Sequence, residues 1–182
     1  MAQSRNKLLI VDGYNVLRSG NRYKEIAGPD YTHDAFNAAR EALINDVVEF
    51  TGWEWQAVIV FDGARNTESS GDAQLIGGVR IMFSPAGQSA DKVIEKLAHD
   101  AGGKSIETLV VTSDATIQNT VFGGGVDRMS ANDFCWEIDA LHAEGKLDRT
   151  SQTAEKNTLL NRLDNETRKK LENLPAAPAD AY

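Results

Sequence analysis

The chain has 182 residues, 41% hydrophobic and 25% charged, which suits one globular domain with a core plus an appendage. Its net charge of −8 argues against broad electrostatic coating of nucleic acid, and its single cysteine, Cys135, excludes an internal disulfide and any multi-cysteine zinc site. No apolar run reaches the length of a membrane-spanning helix, and MAQSRNK is too short and polar for a signal peptide, so the expectation is a soluble, cytoplasmic protein.

In chain order, Lys7–Val11 (KLLIV) reads as a buried strand. Thr32–Thr51 reads as a long helix capped by Thr32 or Asp34, with Phe36, Ala39, Leu43, Val47 and Phe50 on one face and Gly52 as its stop. Ala57–Phe61 is a second strand, residues 63–74 have loop composition, and Val79–Phe83 is a third strand. Ser89–Ala101 reads as a helix with Ser89 as cap and Asp91 in its first turn. Thr108–Thr112 is a fourth strand, Ala115–Phe122 a short helix that ends at three glycines, and Val126–Met129 a short fifth strand. Ser130–Glu144 reads as a helix that opens on a capping-box pair, Ser130 and Asp133. Gln152–Leu174 reads as a charged helix with a leucine face, followed by the tail PAAPADAY. It is expected to pack across the domain, with a dimer or partner contact as the alternative.

Continuous apolar strands alternating with helices predict a three-layer α/β/α sandwich with a mostly parallel central sheet. The expected organisation is a domain over 1–150, an appended helix over 151–174 and a tail over 175–182.

In such a sheet the ligand site lies beyond the carboxyl ends of the strands. The first strand ends in Asp12, the second in Asp62 and the fourth in Asp114, while Asp91 opens the helix after the third. Taken singly, each aspartate has a plain role as a cap or a turn former. Taken together, four carboxylates at one rim repel unless a cation sits among them. A hard divalent ion, Mg²⁺ or Mn²⁺ as one or two ions, resolves that conflict, and two-metal sites of this kind hydrolyse phosphodiesters. Asn15 can add an amide ligand or hold a carboxylate, and Thr112 and Ser113 bring hydroxyls beside Asp114. Gly13 is expected to let the backbone turn behind Asp12. Tyr14 and the tryptophans Trp53, Trp55 and Trp136 read as core or near-surface packing.

The segments IVDGYNVL at 10–17, VIVFDG at 58–63, VRIMFS followed by SADKVIE at 89–95, LVVTSD at 109–114 and GGGVDRMSANDF at 123–134 are colinear. Through them the chain resembles the YacP-like proteins of the NYN group, relatives of PIN-domain ribonucleases. The resemblance implies a PIN-like fold and a metal-dependent endoribonuclease with Asp12, Asp62, Asp91 and Asp114 as its acidic centre and Asn15 beside it. It also implies an RNA substrate, single-stranded or mRNA, with the ribosome as a partner. For an acidic protein, basic residues near the rim would have to meet phosphate: Arg18, Arg22, Lys24, Arg65 and Lys92 follow the acidic motifs, with solvated surface charge as the plain alternative. Arg128 could hold a phosphate or pair with a carboxylate.

Two rival readings remain. A non-catalytic RNA- or ribosome-binding module would keep the fold, although retention of all four acids favours the enzyme. A phosphatase with an aspartate nucleophile commonly has a second aspartate two residues after the first, and here that position is Tyr14. No G-x-G-x-x-G follows the first strand, so a dinucleotide site is excluded.

Overall fold

Lys7–Asp12 forms β1, whose Leu8–Val11 are all buried, as a central strand covered on both faces requires. The structure, a computed structural model, describes residues 6–30, 32–63, 71–121 and 125–145. The chain divides into two compact units, Met1–Asp139 and Ala140–Tyr182. The sheet and the cleft described below belong to the first. Of the second, the described residues 140–145 are helical. The helix expected over 152–174, the tail and Arg65 lie outside the described residues.

After β1 come α1 (Gly13–Ser19), α2 (Asn21–Ala27) and α3 (His33–Thr51), then β2 (Trp55–Phe61). β3 (Ala73–Ile76) and β4 (Val79–Phe83) follow, then α4 (Ala90–Gly102), β5 (Glu107–Val111), α5 (Ala115–Thr120) and β6 (Val126–Met129). A further helix, α6, begins at 131 and runs to 145.

The six strands lie in the order β3-β4-β2-β1-β5-β6. Every neighbouring pair is parallel except β3 with β4. β2 and β5 flank β1 on opposite sides, so the winding of the sheet reverses at β1. The crevice at such a reversal, beyond the carboxyl ends of the strands, is where open α/β sheets bind ligands.

Alternate residues of the strands face opposite layers. Leu8, Ile10, Val58, Val60 and Val110 pack with Val93, Ile94 and Ala98 of α4 and Ile117 of α5. On the other side the buried set includes Leu9, Val11, Ile59 and Phe61 with Val16, Leu17, Leu43 and Val47 of α1 and α3. This is the expected α/β/α sandwich.

Several expected local features hold. Thr32 caps α3, accepting from the Ala35 N–H at 3.3 Å, and Gly52 ends it at φ 48°. Ser130 accepts from the Asp133 N–H at 3.1 Å at the start of α6. Others do not. Ser89 makes no side-chain cap bond, and α4 opens without one. α1 and α2 are not foreseen in the sequence. The loop expected over 63–74 gives way at Ala73 to β3, which pairs antiparallel with β4 across Gly77-Gly78. Those two glycines have φ of 56° and 86°, the left-handed pair that a two-residue hairpin turn demands. Trp53 and Trp136 are 68% and 69% exposed, so they are surface residues and not packing ones.

Candidate active site

Asp12 is the last residue of β1 and the N-cap of α1. The residue is 7% exposed. Neutral donors meet its carboxylate: the Asn15 N–H at 3.3 Å and the Thr112 hydroxyl at 3.1 Å. Thr112 is completely buried, and its hydroxyl also accepts from the Asp114 N–H at 3.1 Å. One hydroxyl thus ties the carboxylate of β1 to the backbone that carries the carboxylate beyond β5. Asp114 caps α5, its Oδ1 accepting from the Thr116 and Ile117 N–H groups at 2.7 and 3.4 Å. The Asn15 side chain accepts from the Ser113 N–H at 2.7 Å, a second tie between the same two segments. Ser113 Oγ in turn accepts from the Ala131 N–H at 3.0 Å at the start of α6. Asn15, Thr112 and Ser113 therefore act on the carboxylates by fixing where they stand.

Asp62 follows β2. Ser84, completely buried, accepts from the Gly63 N–H at 2.9 Å and donates to Asp62 Oδ1 at 3.4 Å. Asp91 lies in the first turn of α4. Asp12, Asp62, Asp91 and Asp114 all line one cleft of about 810 Å³, together with Asn15, Gly63 and Arg18. Four segments remote in sequence thus bring their acids to one concavity at the sheet's carboxyl edge.

The electrostatics follow from that placement. The Asp12 carboxyl is pushed up to about 6, first by burial and further by the charges of Asp91 and Asp114, against the opposing hydrogen bonds from Asn15 and Thr112. Asp91 is raised too, by partial burial and then by Asp114, Asp62 and Glu95. Glu95 is not among the acids that the strand ends pick out. It stands one helical turn beyond Asp91, so spacing along α4 is the signal for it.

The donors lining the cleft are oxygens, the chemistry of a hard divalent cation. Among the described residues no three His, Cys, Asp or Glu side chains form a ready-made metal-binding group.

The basic residues separate. Arg18 lines the cleft and lies over the Tyr14 ring, 5.6 Å from its centroid. Arg22 does not face it. Its guanidinium is committed to Asp46 at 2.8 Å and Asp139 at 3.1 Å, so the expectation that it meets RNA is corrected. Arg128 donates to the Gln118 carbonyl at 3.0 Å and is not among the lining residues. Lys92 and Lys24 are exposed and outside the cleft lining.

An aromatic wall is the part of the cleft that the sequence did not announce. Tyr14 and Phe83 both line the cleft, and Phe83 is 38% exposed. Phe61 lies buried between them, with ring centroids 5.0 Å from Tyr14 and 5.4 Å from Phe83. Gly13 serves this packing and not a special turn: it starts α1, and a Cβ there would lie 2.4 Å from the Phe61 ring.

An α/β/α sheet with acids around its switch point defines an open α/β domain with its candidate ligand site at that rim. The sequence model for the YacP-like NYN domain matches residues 9–176, and the chain belongs to that family. The protein YacP of Bacillus subtilis (strain 168), described as uncharacterized, is 30% identical over 134 residues, which are 74% of this chain and 76% of that one. The crystal structure of Rae1 (YacP) from Bacillus subtilis superposes with a TM-score of 0.63 at 28% identity, covering 91% of this chain and 92% of that one. A variant of the same protein gives a TM-score of 0.63 at 27% identity, covering 91% and 98%. No helix among the described residues is long and apolar enough to cross a membrane.

Proposed function

We propose that this protein is a divalent-metal-dependent endoribonuclease that hydrolyses phosphodiester bonds of single-stranded RNA in the cytoplasm, with ribosome-engaged mRNA as its target. The observation that carries the reading is the gathering of Asp12, Asp62, Asp91 and Asp114 in one cleft, where burial and then mutual repulsion raise Asp12 and Asp91. Membership of a nuclease-type family supports the same conclusion.

Asp12 and Asp114 would hold an Mg²⁺ or Mn²⁺ ion, since Thr112 sets both in place, with Asp91 and Asp62 completing the negative field. When bound, the ion supplies Lewis acidity at the scissile phosphate and lowers the pKa of the attacking water. The protein's own residues do the rest. Thr112 and the Asn15 N–H hold Asp12 in one orientation, α5 fixes Asp114 at its N-cap, and Ser84 sets Asp62. Arg18, on the cleft wall, provides a cation for the RNA backbone.

A net charge of −8 gives a weak general pull on RNA, which favours targeting by a larger partner such as the ribosome. Co-sedimentation with ribosomes at moderate salt tests that part, and a protein left wholly in the supernatant refutes it.

The second reading is a non-catalytic RNA- or ribosome-binding module. What speaks for it is that Asp12 and Asp114 each cap the helix that follows, a role that needs no metal. Incubation of a defined single-stranded RNA with Mn²⁺, Mg²⁺ or EDTA separates the two. The enzyme cleaves internally with metal and stops with EDTA. RNA that is bound but left whole under all three conditions assigns the module.

A further inference from the structure

The acids account for one wall of the cleft, and Tyr14 and Phe83 form another whose chemistry they do not explain. Phe83 ends β4 beside Phe61 of β2, in register in the parallel pair, and its ring stacks on Phe61 at an interplanar angle of 30°. Phe61 is fully buried, so Phe83 rests on a fixed footing. Tyr14 tilts against Phe61 at 60° and against Phe36 at 35°, with ring centroids 5.0 and 5.9 Å away. Arg18 lies over the Tyr14 ring.

Phe83 is 38% exposed where it lines a cleft that also carries four carboxylates and Arg18. Rigid rings set beside a cation are what single-stranded nucleic acid uses, since every base offers a π-face and every linkage a negative phosphate. We infer that Phe83 and Tyr14 form a base-stacking shelf that receives an unpaired nucleobase next to the scissile linkage, with Arg18 taking the adjoining phosphate. The inference rests on the reading of the cleft as a site for single-stranded RNA and names the residues that would receive its bases. A base held within a helix keeps both π-faces covered by its neighbours and has none to give the shelf.

The test is binding under conditions that do not cut. A short oligouridine carrying one 2-aminopurine is titrated with the protein in Ca²⁺ without Mn²⁺ or Mg²⁺, and the stacking quench of the fluorophore is read. Wild-type protein is expected to quench the single strand and to leave the same fluorophore in a duplex unchanged. Phe83→Ala is expected to weaken single-strand binding roughly 5- to 100-fold and to lose the quench. Phe83→Leu, which keeps an apolar side chain without a π-face, should lose the quench as well, while Phe83→Trp should retain it. The melting temperature of each variant, unchanged within a few degrees, shows that the fold is intact. Equal binding and quenching by Phe83→Ala and wild type overturn the shelf, as does equal quenching of duplex and single strand, or no quench by wild type at saturation.

This readout is independent of hydrolysis. Loss of the quench in Phe83→Ala with no Mn²⁺-dependent cleavage by wild type would keep the shelf and remove the nuclease. Full cleavage with an unaffected quench would do the reverse.

Discussion

Asp46 is 3% exposed and Asp12 is 7% exposed, yet the fold treats these two buried aspartates in opposite ways. Asp46, on α3, is met by the Arg22 guanidinium in a two-pronged pair at 2.8 and 3.3 Å and by the Tyr23 hydroxyl at 3.0 Å. The carboxylate in return raises Arg22, and burial first, then the same carboxylate, raises Tyr23. The charge is balanced within the protein, and the result is a pin between α2 and α3. Among the described residues Asp12 has neutral donors only, and its charged neighbours Asp91 and Asp114 have the same sign. A buried carboxylate supplied with its own cation is structural. One set among further carboxylates is where, on the proposed function, a cation from outside would bind.

The largest expected effect lies at the cleft. Asp114→Asn should lower RNA cleavage at least about 100-fold, because the amide no longer offers a charged oxygen to the metal. The fold should survive, since asparagine caps a helix about as well as aspartate and can still accept from Thr116 and Ile117. Gel analysis of a labelled single strand in Mn²⁺, with a melting curve beside it, checks both halves.

The same exchange at the pin should act on stability. Asp46→Asn takes the carboxylate charge away from a partly buried guanidinium and should cost about 3 kcal/mol in urea unfolding. A loss well under 1 kcal/mol would mean that the pin does little.

Asp12→Asn should move stability the other way. The folded-state carboxyl of Asp12 is raised from 3.8 to about 6, so the fold holds that proton longer than the unfolded chain. Its contribution is therefore fully present below about 3.8 and is lost as pH rises through about 6. The metal-free wild type should thus weaken between those values, by up to about 3 kcal/mol from this group. In Asp12→Asn the slope should flatten, and the variant should be the more stable of the two at pH 7. Urea titrations at pH 4, 5, 6 and 7 in EDTA read this out, and equal slopes would mean that Asp12 holds no extra proton in the fold.

The smallest effect belongs to the arginines. Arg18→Gln should weaken single-stranded RNA binding a few-fold and reduce the salt dependence by about 0.7 in log–log slope, the share of one phosphate contact. Arg22→Gln should leave that slope unchanged and lower stability instead. An identical salt response in both variants would erase the distinction between cleft and pin.

These contrasts also mark how far the sequence could be read. Asp12 and Asp114 were legible because they end apolar runs, and the strand period alone puts such residues at one rim. Like Arg18, Arg22 stands close behind an acidic motif. Its partners, Asp46 and Asp139, are 24 and 117 residues away, and nothing local announces them. The β3–β4 hairpin was legible in the Gly-Gly pair between apolar residues, although a polar stretch before it masked the signal. Phe83 looked like any strand-end apolar residue, since exposure at a strand terminus depends on what the neighbouring elements cover.

Hydrophobic period and capping act over a few residues, so they carry the α/β/α layering, the type of most elements and the rim at which the acids emerge, but not α1, α2 or β3. Only the tertiary structure decided which charges are neutralised inside, which aromatic rings face the cleft, and why Gly13 has no side chain. Those outcomes depend on distances between segments far apart in the chain, and burial and Coulomb energy are functions of those distances.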